Sequence, residues 1–361
     1  MGGASAPVET DATRTSVHLA LALLGYFLLV IFVITLSPFD FAWAPVRLLL
    51  AIVPSDIIAN VALFLPLGFL LHSLDRRESA SALRAVSVAA GISILIEIAQ
   101  IFIRDRYVSP VDVIANTCGA YIGALVRDRL ERTAVWHPRT VGRLGLEIPL
   151  AGLLYLLVPQ LWLSTVGVLE DGWRGVTTVL LASASAIVLI ALRRNHWNAD
   201  ATASRDRRFE HDTLRRFLPV FALYLIVAAL WPPFRALAPW HGAVGFANRL
   251  NDAGVVDLLL LLEQVGGFTL LGYAAAEWSG RRELSLGADL PRVTLAAVVF
   301  ATLLEVAQGS LAGPGASLLR ALFSTTGAMY GAAVYHLARA HVRALRAGEM
   351  PQTVSDRAQA A

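Results

Sequence analysis

Long apolar runs broken by short polar connections recur along the chain, at roughly 17–36, 57–74, 85–103, 111–130, 146–166, 176–192, 217–231, 255–276, 293–311 and 317–338. Each approaches the roughly 20 residues with which an α-helix crosses the hydrocarbon core of a bilayer. The pattern predicts an all-α fold, a polytopic integral membrane helical bundle of about ten transmembrane helices. The runs at 176–192 and 217–231 are the shortest, and the count falls to about eight or nine if one is re-entrant. The first run exceeds the roughly 7–15 residues of a signal h-region. It is therefore expected to be an uncleaved anchor, despite the small residues of Ala42-Trp43-Ala44 behind it.

Composition agrees with a hydrocarbon solvent. Of 361 residues, 56% are hydrophobic and 16% charged, and the mean hydropathy is +0.61, values that belong to membrane proteins. All 30 basic residues are Arg. With ten helices, 23 of them fall in the two tails and the alternate connections on the same side, against seven on the other. Positively charged connections stay in the cytoplasm, so both termini are expected there. These arginines flank helix ends and line no single basic face, so the sequence pI of about 9.3 implies no nucleic-acid partner. Cys118 is the only cysteine, which excludes an intramolecular disulfide and a cysteine-built metal site; no cofactor and no metal are expected.

An internal repeat organises the helices. A shift of 208 residues lays RAVSVAAGISILIEIAQIFIRDRYVSPVDVIANTCGAYIGA (84–124) on RVTLAAVVFATLLEVAQGSLAGPGASLLRALFSTTGAMYGA (292–332), with 12 identities over 41 positions. Glu97 meets Glu305, Gln100 meets Gln308, Gly119 meets Gly327 and Gly123 meets Gly331. Arg106, Asp112 and Asn116 are matched by Pro314, Arg320 and Ser324, so the second copy is degenerate and reads as scaffold or partner surface. The expected organisation is a cytoplasmic tail (1–16), a first unit (17–132), a connecting helix pair (133–195), an Arg-rich cytoplasmic linker (196–216), a degenerate second unit (217–339) and a second cytoplasmic tail (340–361). Four helices plus two make an even number, so the two four-helix units are expected as parallel repeats.

Polar residues inside the first unit carry the candidate chemistry. Asp56 and Asn60 are four apart, Glu97 and Gln100 three apart, and Asp112 and Asn116 four apart, so each pair shares one helix face. With a cytoplasmic N-terminus, all three pairs fall toward the outer side of the membrane. A carboxylate facing lipid at mid-bilayer costs about 3 kcal/mol even on the lenient insertion scale, so the groups are expected to face one another. Arg106, in the connection RDRYVSP, can hold one carboxylate with its guanidinium fork. Ser109 fits the N-cap of the following helix, Pro110 its first position, and Asp112 its first turn, where the helix dipole favours negative charge. Gly119 and Gly123, spaced as GxxxG, fit close helix packing. His72 and His137 are expected as solvated loop histidines, and Glu263-Gln264 as an outlier facing the first unit's pocket, Arg249 or Arg292.

The ordered set Asp56-x3-Asn60-x3-Phe64-x-Pro66-x-Gly68, Glu97-x2-Gln100, Arg106, Ser109-x2-Asp112-x3-Asn116-x2-Gly119-x3-Gly123 resembles the VanZ-like family of bacterial membrane proteins, over roughly residues 20–130. The resemblance implies a multi-pass protein of the bacterial plasma (inner) membrane. The family's namesake lowers sensitivity to teicoplanin, a glycopeptide antibiotic that binds cell-wall precursors, so the resemblance points to the cell envelope and to antibiotic resistance as its setting. Membrane lipids, and a lipid-linked cell-wall or polysaccharide precursor, are the expected partners. Three functional classes stay open. A binding site would set Arg106 against phosphate and Glu97, Gln100 and Asn116 against hydroxyls or amides. An enzyme would use Glu97 or Asp112 as general base. A transporter is suggested by the parallel repeats and by Pro66, Pro149 and Pro159 as helix breakers. The plain structural alternative is a salt-bridge lock from Arg106 to Glu97 or Asp112.

Overall fold

A computed structural model of the chain describes residues 6–36, 41–42, 48, 54–74, 82–104, 107–135, 208–230, 236–244, 255–279, 284–312 and 315–349. The runs at 146–166 and 176–192 lie outside the described residues. Among these residues are eight helices: α1 (Ala6–Leu36), α2 (Pro54–Leu74), α3 (Ala82–Gln100), α4 (Pro110–Val135), α5 (Arg208–Leu230), α6 (Val255–Ser279), α7 (Leu286–Gly309) and α8 (Leu318–Glu349). They form two units, the first built on α1 to α4 and the second on α5 to α8 as far as Val342.

The helix ends follow local chemistry. Pro54 and Pro110 open α2 and α4, where the missing amide proton leaves nothing unpaired. Pro66, a candidate helix breaker, lies inside α2, which runs on through it. The third helix stops at Gln100, short of the expected 103, because its last amides tighten into a turn: Phe102 N–H donates to Ala99 O and Ile103 N–H to Gln100 O. The turn frees the chain for backbone pairing. Ile103 bridges Phe41 and Val108 bridges Leu48, while Ala42 N–H donates to Phe102 O, so the α1–α2 connection is strapped to the α3–α4 connection. In the second unit the strap is a two-residue parallel pairing, β1 (Gly242–Ala243) with β2 (Ala316–Ser317).

Four helical stretches, Val17–Leu36, Asp56–Leu74, Ala82–Gln100 and Leu286–Gly309, are long and apolar enough to cross a bilayer, and Leu218–Leu230 is apolar but shorter. The described residues form an all-helical fold with four candidate membrane spans. The fourth helix falls below that apolarity because Asp112 and Asn116 stand near its start and a charged run from Arg127 to Arg132 follows its apolar stretch. Ile58, Leu95 and Ile114 in the first unit, and Leu295 and Leu303 in the second, are exposed, as suits a chain whose solvent is lipid tail.

Each unit is held by a helix pair in backbone contact. A Cβ on Gly119 would land on the carbonyl of Val61, one on Gly123 on the carbonyl of Leu65, and one on Gly68 on the backbone of Ala120. The seam of α2 against α4 therefore admits only hydrogen at these positions, the small-residue packing that membrane helices use in place of a hydrophobic drive. Gly327, Gly331 and Gly272 meet Val265, Thr269 and Ala328 in the same way in the second unit. Phe64, Leu67, Ala89, Ile96 and Ala120 fill the core of the first unit, and Phe268, Ala297, Ala301, Leu304 and Ala328 that of the second.

Gly123→Ala should destabilise the protein by about 1–3 kcal/mol, because the Leu65 carbonyl it meets is backbone and cannot rotate away. Gly91→Ala, on α3 with nothing within 4 Å, should be neutral or slightly stabilising. Thermal unfolding of both variants in detergent checks the pair.

Candidate functional site

The start of α2, the end of α3 and the start of α4 bring the polar residues of the first unit together. The bond that fixes them runs from the Ser109 N–H to Glu97 Oε2, 2.7 Å and fully buried. Ser109 also caps α4, its hydroxyl accepting the Asp112 N–H at 3.3 Å. Glu97 thus holds the N-terminus of the next helix, where amides without partners and the helix dipole both favour a negative group.

Asp112 is half-buried in the first turn of α4. The Ser109 and Asn60 side chains and the Asp56 carboxylate lie within electrostatic reach of its carboxylate, as Asp112 does of Glu97. One turn further along α4, Asn116 is buried against α3. Its Nδ2 donates to Ser93 Oγ at 2.9 Å, while its Oδ1 is buried with no hydrogen-bond partner. Gln100 turns the other way and donates from Nε2 to the Thr35 carbonyl of α1 at 2.9 Å. Asp56, Asn60, Glu97 and Asp112 therefore meet at one end of the bundle, with Asn116 beneath them and Gln100 at the flank. Arg106 lies outside the described residues. Ser93 escaped sequence reasoning, although its place four residues before Glu97 sets it on the same helix face.

The second unit repeats the frame with a different charge. Ser317 N–H donates to Glu305 Oε2 at 2.8 Å and Gln308 Nε2 to Ala229 O at 2.8 Å. Ser317 Oγ accepts the Arg320 N–H at 3.2 Å. At the place of Asp112, however, stands Arg320. Its Nε donates to Glu305 Oε1 at 2.7 Å and its Nη2 to Glu305 Oε2 at 2.5 Å. The same Nη2 donates to Gln308 Oε1 and, at 2.8 Å, to Gly315 O. Gly315 has φ of 75°, a left-handed conformation that suits glycine, and a Cβ there would strike the His241 ring. The Ser324 hydroxyl, matched to Asn116, is buried without a partner.

Elsewhere the structure corrects the sequence. His72 is no solvated loop residue: it is buried in α2, with Nε2 2.6 Å from Asp128 Oδ1 of α4. His336 and Asp289 make a comparable pair, 3.0 Å apart, between α8 and α7. Glu263 is buried and accepts the Tyr224 hydroxyl at 3.0 Å. His137 lies outside the described residues.

Residues 7–130 match the family model described as VanZ/LLP1. Over these residues the first unit is similar to the VanZ/LLP1 family. No curated protein and no solved structure matches the chain. The match covers α1 to α4 as far as Leu130, so the capped Glu97–Ser109 frame, Asp56, Asn60, Asp112 and Asn116 all lie within the matched residues.

Arg320→Ala should destabilise the chain by about 3 kcal/mol, since it leaves the buried Glu305 carboxylate without its counter-charge. Adding Glu305→Gln should recover part of that loss, because the two side chains act as one unit. Unfolding curves of the single and double variants give the coupling.

Proposed function

We propose that the VanZ-like unit binds the polar head of a membrane lipid at the end of the bundle where Asp56, Asn60, Asp112 and Asn116 converge, and that this end faces the cell exterior. The observation that carries the reading is Asn116, 3% exposed, with an Oδ1 that finds no donor. A buried acceptor left unpaired costs about 1–3 kcal/mol, and such a group calls for a partner that the chain does not supply. A head group entering beside Asp112 would bring one.

The two units support a division of labour within the polar set. We read them as copies of one four-helix plan, since the glycine seam, the carboxylate-capped serine and the glutamine bond recur in both. Bonds common to both copies hold helices, and Glu97 and Gln100 make those bonds. Asp56, Asn60, Asp112 and Asn116 are left as the ligand-facing group, with Arg106 in the adjoining connection for a phosphate. A lipid-linked wall or polysaccharide precursor is the substrate class that suits a VanZ-like unit, and modulation of the envelope or of glycopeptide sensitivity is the consequence expected of it. The arginine bias of the connections supports an outward site and cytoplasmic termini.

One observation favours a structural reading instead: Glu97 and Gln100 are both spent on backbone groups of neighbouring elements. The two readings diverge at Asn116. Asn116→Ala and Asp112→Asn should leave folded yield in detergent near normal while stripping co-purifying lipid, measured by mass spectrometry of the extracted protein. Loss of folded protein in both variants would sink the binding reading. A reporter fused within the segment around Tyr107 should report from the exterior.

A further inference from the structure

We infer that the cationic part of a lipid head group, a primary ammonium or a guanidinium, enters the VanZ-like unit at the place that the Arg320 guanidinium fills in the second unit. The inference rests on the lipid-head reading above and specifies the charge that the site recognises.

The second unit displays what this frame holds. Around the Arg320 guanidinium stand both oxygens of Glu305, the Gln308 Oε1 and the Gly315 carbonyl, all acceptors. The first unit builds the same frame. Glu97 takes the Ser109 N–H as Glu305 takes that of Ser317, and Gln100 gives its Nε2 to Thr35 O as Gln308 does to Ala229 O. Tied in this way, the Gln100 amide has its Oε1 left for a donor, the end that Gln308 presents to Arg320. The difference lies in the occupant. Where the second unit supplies a guanidinium, the first supplies the Asp112 carboxylate.

Charge at the two ends differs accordingly. From 305 to 320 the chain carries one acid and one base, Glu305 and Arg320, and they neutralise each other in place. Among the described residues from 97 to 112 it carries Glu97 and Asp112 against Arg104, and Asp56 adds a further carboxylate within reach of Asp112. With Arg104 counted, the described residues of this end keep an excess of negative charge. The buried Asn116 Oδ1, one turn inward from Asp112 on the same helix face, adds an acceptor without a donor. A group rich in N–H donors and positive charge satisfies both deficits at once.

The test uses the full chain in phosphatidylglycerol nanodiscs, offered phosphatidylethanolamine, its N-acetylated derivative, or soluble methylguanidinium, with bound species read by native mass spectrometry. Phosphatidylethanolamine should be retained at least about tenfold better than the N-acetylated lipid, the loss expected when a charge-assisted bond is removed. Asp112→Arg should keep the folded yield, since the new side chain can pair with Glu97 as Arg320 pairs with Glu305, and should abolish retention of the amine lipid. Arg320→Ala should open the second unit and add an equivalent of bound methylguanidinium. If Asp112→Arg fails to fold, Asp112→Asn should lose the same selectivity. Equal retention of the amine and N-acetylated lipids overturns the inference and leaves the lipid-head reading standing. Methylguanidinium bound with no lipid retained upholds the charge and defeats the lipid. Retention of the amine lipid unchanged by either Asp112 variant overturns the inference.

Discussion

The buried bond from the Ser109 N–H to the Glu97 carboxylate is the contact on which the polar end of the first unit depends. Inside hydrocarbon a carboxylate needs partners from the chain, and the open N-terminus of a helix is a rich source of them. By capping α4, Glu97 fixes where that helix begins, and with it where Asp112 and Asn116 stand. The bond also explains why α3 ends in a tight turn. The chain must double back within a few residues to bring Ser109 over Glu97, and the turn at Phe102 and Ile103 lets the α1–α2 strap pair with the returning strand.

Backbone contact between α2 and α4 sets the other boundary of the site. Gly68, Gly119 and Gly123 bring the helices so close that no side chain fits between them along the seam. Asp56 and Asn60, at the start of α2, are thereby placed beside Asp112 on α4. The glycine seam and the glutamate cap are independent devices, one apolar and one polar, and together they confine the carboxylates to one end of the bundle.

The second unit keeps both devices and exchanges the charge. Arg320 takes the position of Asp112 and closes the frame with bonds to Glu305, Gln308 and Gly315. A salt-bridge lock between the third and fourth helix of a unit therefore exists in this chain, in the second unit. There the position reads as a completed internal ion pair. In the first unit the same position adds to the negative charge.

Much of this was legible in the residues alone, because hydrocarbon leaves so few alternatives. Apolar runs fixed where most helices lie, Ser109-Pro110 marked the start of α4, the glycine spacing marked a close seam, and the paired spacings put each polar couple on one face. The four described stretches apolar enough to span a bilayer follow from composition; the polar residues at the start of α4 and the charged run from Arg127 lower its own apolarity. What the sequence did not determine was which polar group each residue would meet. Gln100 turns to the Thr35 carbonyl 65 residues away, His72 is buried against Asp128, and Glu263 takes the Tyr224 hydroxyl. Helical periodicity fixes the face on which a side chain stands. The identity of its partner is set by the register in which two helices pack, and only the tertiary structure decides that register.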